Sequence, residues 1–251
     1  MSDTSPGRNI AAEFVGSTIV MLGGPGLLVL GGGLGPLEIA IGFGVALAIS
    51  IGVIGAVANP MFSLALLLSR AIDVREAATD WIGQFLGAIF GGALIFGLND
   101  SVRFGMVGTN GWEPNSDISA PVTGFQQLGV VIAGEFVLGT ILVVVLLSSI
   151  SQQRTNGAMA AFTGAAYSLG TLFLLNISGA GMNPARSLAS AIFADTDPNA
   201  LGQVWVFILV PAASAVAGLL VWLAIDEATI DDTVFDDTAL ESVTDRFTHD
   251  V

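Results

Sequence analysis

The chain has 251 residues, of which 53% are hydrophobic and only 11% charged, with a mean hydropathy of +0.80; this excludes an ordinary soluble domain. Twenty-one acids against seven arginines and no lysine give a net charge of −14, which excludes a nucleic-acid binder, and the absence of cysteine excludes disulfides and thiolate metal sites. What remains is one polytopic membrane domain, each span needing ~20 mostly apolar residues, with a composition that fits a GC-rich genome or a high-salt cytoplasm, as in a halophilic archaeon.

Residues 1–9 form an N-terminal segment carrying Arg8. The first apolar run, 10–31, is longer than a signal-peptide core and follows a single Arg, so it reads as a retained span. A second run covers 37–57. The glycine-rich stretch from Gly52 to Ala58 then ends at Asn59-Pro60, and 59–69 is too short to cross a membrane. Asn is a favoured N-cap and Pro is tolerated at the first helical position, so the pair predicts a half-length helix. The third span is 78–98, where Gly83, Gly87 and Gly91 form a strip for close helix approach. Residues 99–127, with Asn110-Gly111 and Glu113-Pro114, make the longest loop. Spans at 128–150 and 157–177 follow. Ser178 to Met182 then leads to a second pair, Asn183-Pro184, which opens a second short segment at 183–194. The sixth span is 202–225. Residues 226–251 hold nine acids and one Arg and read as a disordered acidic tail; its His249 is assigned no role.

The halves, about 10–98 and 128–225, correspond. Ala12-Glu13-Phe14-Val15-Gly16 is echoed by Gly134-Glu135-Phe136-Val137, and Glu13 stands 46 residues before Asn59 as Glu135 stands 48 before Asn183. Three spans per half is an odd number, so the second copy is inverted and the two short segments enter from opposite sides to meet midway. Arg8, Arg70, Arg75, Arg154 and Arg246 fall on one side and Arg103 on the other, which predicts cytoplasmic termini and an external 99–127 loop. Trp81 and Trp205 open the third and sixth spans and Trp222 closes the sixth, as an interfacial belt would place them. Helix N-termini at membrane depth expose N–H groups and positive dipole ends, tolerated only where backbone lines a cavity or is buried in protein. The pattern predicts a pore.

The paired Asn-Pro motifs, the Glu13-Phe14 echo, Gln84 in Gly83-Gln84-Phe85-Leu86-Gly87 and the run Gly181-Met182-Asn183-Pro184-Ala185-Arg186-Ser187 together resemble the aquaporin, or major intrinsic protein, family over about residues 10–225. The second motif is highly specific. The first is degenerate, with Met61 where the family usually has Ala and Val57 where a His is common. The resemblance implies an all-α integral membrane protein: a right-handed bundle of six transmembrane helices plus two re-entrant half-helices, in an inverted repeat. It further implies a passive channel in the cell membrane that conducts water and excludes protons and ions, with glycerol or another small neutral solute as the alternative permeant. A homotetramer, no reaction, no cofactor and no metal complete the implication.

The same resemblance assigns the site. Pro60, Met61, Pro184 and Ala185 belong to the half-helix motifs, while Asn59 and Asn183 cap with their oxygens and offer their amide NH2 groups to a passing water. Each positive helix end, worth ~+0.5 charge, opposes a cation there. Arg186 carries an intramembrane charge that costs ~2.5–3.5 kcal/mol on insertion scales; it is assigned to the outer constriction in preference to snorkelling. Ile41 (Ile39 or Phe43 on a shifted alignment), Thr171 and Ala180 complete the ring, in which the aromatic and the His of water-selective members are missing. Ser187, Ala191 and Phe207 match water channels and Ile208 does not, so the balance favours water. Glu13 and Glu135 are read as braces for the re-entrant loops. Two rivals stand beside the water channel: a glycerol or small-solute facilitator, and a proton-coupled secondary transporter using Glu13 and Glu135.

Overall fold

The computed structural model describes residues 5–99, 107–112, 127–196 and 199–226. Most of the long loop and the acidic tail from 227 onward, with Arg103, Arg246 and His249, lie outside the described residues, as do residues 1–4. Among the described residues there are helices and no strands. Six helices are long and apolar enough to cross a membrane: α1 Pro6–Leu30, α2 Pro36–Ile54, α4 Val74–Leu98, α5 Leu128–Ser151, α6 Asn156–Leu174 and α8 Ala200–Ile225. Between them lie α3 Pro60–Leu68 and α7 Pro184–Ile192, nine residues each. Nine residues rise about 13 Å, less than half of a ~30 Å hydrocarbon core, so neither crosses alone.

Local chemistry moves several boundaries from where the apolar runs put them. Residues 6–9 are already helical because Pro6 occupies the first position, where its missing N–H has no partner to lose. Around Pro25 the same helix passes through a π-helical turn, Leu22–Gly26, which accommodates a proline that cannot donate to the ladder. Helix α4 begins at Val74 because the Asp73 side chain caps it, accepting from the Glu76 N–H at 2.7 Å. Trp81 therefore lies two turns inside α4 and not at its start; its indole N–H donates to the Pro60 carbonyl at 3.4 Å. Helix α6 stops at Leu174, short of the expected 177, because the N–H groups of Ile177 and Ser178 both turn back to the Leu174 carbonyl at 2.9 Å.

The helices pack through small residues, as expected in a solvent as apolar as the core. On α4, a methyl added to Gly83 would lie 2.5 Å from the Ile10 carbonyl oxygen of α1, and one on Gly87 would lie 2.1 Å from that of Phe14. Gly44 of α2 and Gly164 of α6 close on each other in the same way, and Gly218 of α8 closes on Val143 of α5. The obstacle at Gly87 is backbone, which cannot rotate aside. Gly87→Val is therefore expected to destabilise by about 3 kcal/mol, the upper end for overpacking. Thermal unfolding in detergent measures it, with Gly97→Ala, where nothing lies within 4 Å, as the neutral control.

Candidate functional site

Each re-entrant loop hangs on one buried glutamate. Glu13 of α1 accepts from the N–H groups of Val57 (2.8 Å) and Ala58 (2.9 Å), and Glu135 of α5 from those of Gly181 (2.6 Å) and Met182 (2.7 Å). Ser178 adds a hydroxyl donor to Glu135 at 2.5 Å. On the Glu13 side a longer network continues. The Gln84 amide donates to Glu13 at 3.0 Å and to the Ser63 hydroxyl at 2.8 Å, and Ser63 donates to Asp80 at 2.8 Å. Asp80 also accepts from Asn9 at 2.7 Å, which ties the start of α1 to α3 and α4. Asp80 was not singled out in the sequence, although an acid inside an apolar span is itself a signal.

The two loops deliver the half-helices tip to tip. Asn59 caps α3 through its oxygen, accepting from Met61 N–H at 3.0 Å, and Asn183 caps α7 by accepting from Arg186 N–H at 3.2 Å. Their amide groups cross over. Asn59 Nδ2 donates to the Met182 carbonyl at 3.0 Å, and Asn183 Nδ2 donates to the Ala58 carbonyl at 2.8 Å. An amide has two N–H donors, so one on each Asn holds the opposite loop and one remains, where the sequence predicts both to be free. Ala58 (φ 49) and Ala180 (φ 59) sit in the left-handed region within these loops. Non-glycine residues persist there only where the surroundings over-determine them, as the glutamate braces do. Met61 turns away from the junction into the hydrophobic core, where it is 1% exposed and faces Gly139 of α5. Pro60, Pro184, Ala185, Ser187 and Ala191 are buried around the half-helices, with Phe207 packed on Gly181.

Arg186 is fully buried and does not snorkel. Its Nη1 donates to Asn110 Oδ1, its Nη2 to the Gly179 carbonyl at 3.0 Å, and its guanidinium carbon lies 5.4 Å from the centre of the Phe43 ring. Thr171 and Ala180 are also fully buried, Ala180 next in the chain to Gly179, whose carbonyl holds Arg186. Ile41 is not at this site. It belongs to an outward strip of α2 with Leu37, Val45 and Ile49, and is 47% exposed. The inward strip carries Ile39, Phe43 and Leu47. The α2 residue beside Arg186 is thus Phe43, and the aromatic expected to be missing is present. Asn110 went unrecognised because Asn110-Gly111 reads only as a turn. Here it docks on the loop before α7, with Asn110 Nδ2 and Gly111 N–H both donating to the Ser178 carbonyl, at 3.3 and 3.1 Å. Beyond it, Trp112 stacks edge-on against Trp205. Asn110→Ala frees one arm of Arg186, and glycerol leakage into vesicles is expected to rise about threefold, on the scale of one lost hydrogen bond. Stopped-flow light scattering measures it.

The model of the family described as major intrinsic protein matches residues 1–222. The chain is a member of the major intrinsic protein family. Members of this family are passive channels and not enzymes, so this chain is a multi-pass channel protein. It is similar to Aquaporin Z of Brucella melitensis, 28% identical over 86% of this chain and 96% of that protein. It is also similar to Glycerol uptake facilitator protein-like 6 of Lactiplantibacillus plantarum, 29% identical over 83% and 94%. Among solved structures, the aquaglyceroporin from Plasmodium falciparum superposes with a TM-score of 0.73 at 20% identity, covering 90% of this chain and 99% of that one. At that identity the superposition speaks for the fold alone. Within the family, the relatives span both water and glycerol names.

Proposed function

We propose that this channel conducts water and excludes protons and ions, as a homotetramer in the cell membrane with both termini cytoplasmic. The observation that carries the reading is Phe43 lying against Arg186. A rigid ring facing a fixed guanidinium narrows the constriction that Thr171 and Ala180 share, and it removes the main sequence argument for a wider solute pore. The remaining N–H of Asn59 and that of Asn183 hold a water by its oxygen. Its hydrogens then face its neighbours, and the two helix ends, ~+0.5 charge each, oppose a hydronium at the same place. Glu13 and Glu135 serve as braces, since the oxygens of both accept loop N–H groups; this weighs against the proton-coupled transporter.

A second reading, a facilitator of glycerol or another small neutral solute, draws on the small side chains of Thr171 and Ala180 and on the glycerol-facilitator relative. Rapid mixing of proteoliposomes with an impermeant osmolyte, then with glycerol, separates the two. Fast shrinkage with glycerol entry at the empty-vesicle rate is the expected result. Glycerol entry well above that rate gives the assignment to the facilitator.

A further inference from the structure

Thr163, Tyr167 and Thr171 stand four residues apart on α6, so their side chains leave one face of the helix at one-turn intervals. All three are fully buried, and their hydroxyls have no hydrogen-bond partner among the described residues. A buried hydroxyl without a partner is destabilising, and a packed core does not stack three in a row. The flanks of α6 fix where this face looks. On one side Gly164 and Ser168 close on Gly44 of α2; on the other Gly170 closes on the thioether of Met182, in the loop leading to Asn183. Between these flanks the Tyr167 ring meets Phe43 edge-on, with centroids 5.8 Å apart, and Phe43 in turn lies against Arg186. The hydroxyl row leaves α6 between Gly44 of α2 and Met182 of the second re-entrant loop.

We infer that Thr171, Tyr167 and Thr163 form a hydroxyl ladder that passes the permeant onward from the Arg186 constriction, with Tyr167 as a specificity-determining residue. The inference rests on the water-channel reading and adds to it a wall of hydrogen-bonding stations. A hydroxyl donates and accepts, so the ladder suits neutral hydrogen-bonding molecules and gives an ion no compensating charge. The Tyr167 ring adds a second restriction just past Phe43, met by any solute that clears the first.

Two variants in proteoliposomes test this. Tyr167→Phe keeps the ring and its packing on Phe43 but removes the hydroxyl. Its water permeability is expected to fall about two- to tenfold, with a steeper temperature dependence, the scale of one lost hydrogen bond at the barrier. Tyr167→Val removes the ring and is expected to admit glycerol above the empty-vesicle rate. Wild-type flux with both variants unchanged overturns the ladder alone. Wild-type vesicles no faster than empty ones overturn the water-channel reading and the ladder with it.

Discussion

Replacing Arg186 with Val is expected to raise glycerol permeability about tenfold or more, the scale on which a site discriminates by one small group, while water still passes. At the proposed constriction the guanidinium is pinned from two directions, by Asn110 and by the Gly179 carbonyl. Valine is shorter and has no donors, so the space opposite Phe43 widens and the Asn110 oxygen loses its partner. The variant is expected to lose some stability, since the Asn110 oxygen and the Gly179 carbonyl are left without their donor at ~1–3 kcal/mol per buried group, so its Tm is measured beside its flux. Ion exclusion is expected to survive, since the two half-helix ends and the Asn59–Asn183 junction are untouched. Vesicle swelling in glycerol and electrical conductance read the two properties separately. A variant with the parent's solute profile would show that Arg186 does not set the sieve.

What the sequence disclosed depended on whether a signal was local. The half-helices were legible because Asn-Pro fixes a cap and a first helical position without reference to anything distant. The braces were legible because a glutamate in an apolar run demands a partner, and the echo of Glu13 in Glu135 supplied matching ones. The register of α2 was not legible for the opposite reason. Its outward strip (Leu37, Ile41, Val45, Ile49) faces the apolar surroundings and its inward strip (Ile39, Phe43, Leu47) faces the core, yet both are equally apolar. In a membrane the outside of a helix needs no polar residues, so the periodicity that would separate Ile41 from Phe43 is absent. Asn110 was hidden because a long loop carries no register of its own. Its bond to Arg186 spans 76 residues and depends on how the segment 107–112 docks. Both misses fall around Arg186, whereas the meeting of the two Asn-Pro tips, with each amide on the opposite loop, follows the inverted repeat of the two motifs.

The glutamate braces make the sharpest claim about stability. Glu135→Leu leaves the buried Gly181 and Met182 N–H groups without an acceptor and Ser178 Oγ with only its long 3.4 Å bond to the Leu174 carbonyl. At ~1–3 kcal/mol per unsatisfied group the loss is about 3 kcal/mol or more, roughly 10 °C in Tm for a chain of this size. The damage should not stay local. The Met182 carbonyl holds the Asn59 amide, and the Gly179 carbonyl holds Arg186. A displaced loop therefore disturbs both the Asn junction and the constriction, and water flux is expected to fall to the empty-vesicle level. Glu135→Gln retains one oxygen that can accept, so it should lie between the two, with partial flux and a smaller drop in Tm. That ordering separates a brace from a proton carrier. A carrier would lose transport with Gln as completely as with Leu, and its flux would follow an imposed pH gradient. Intrinsic tryptophan fluorescence on heating, with vesicle shrinkage on the same preparations, decides between them, and a Leu variant with parental Tm and flux would remove the brace from the account.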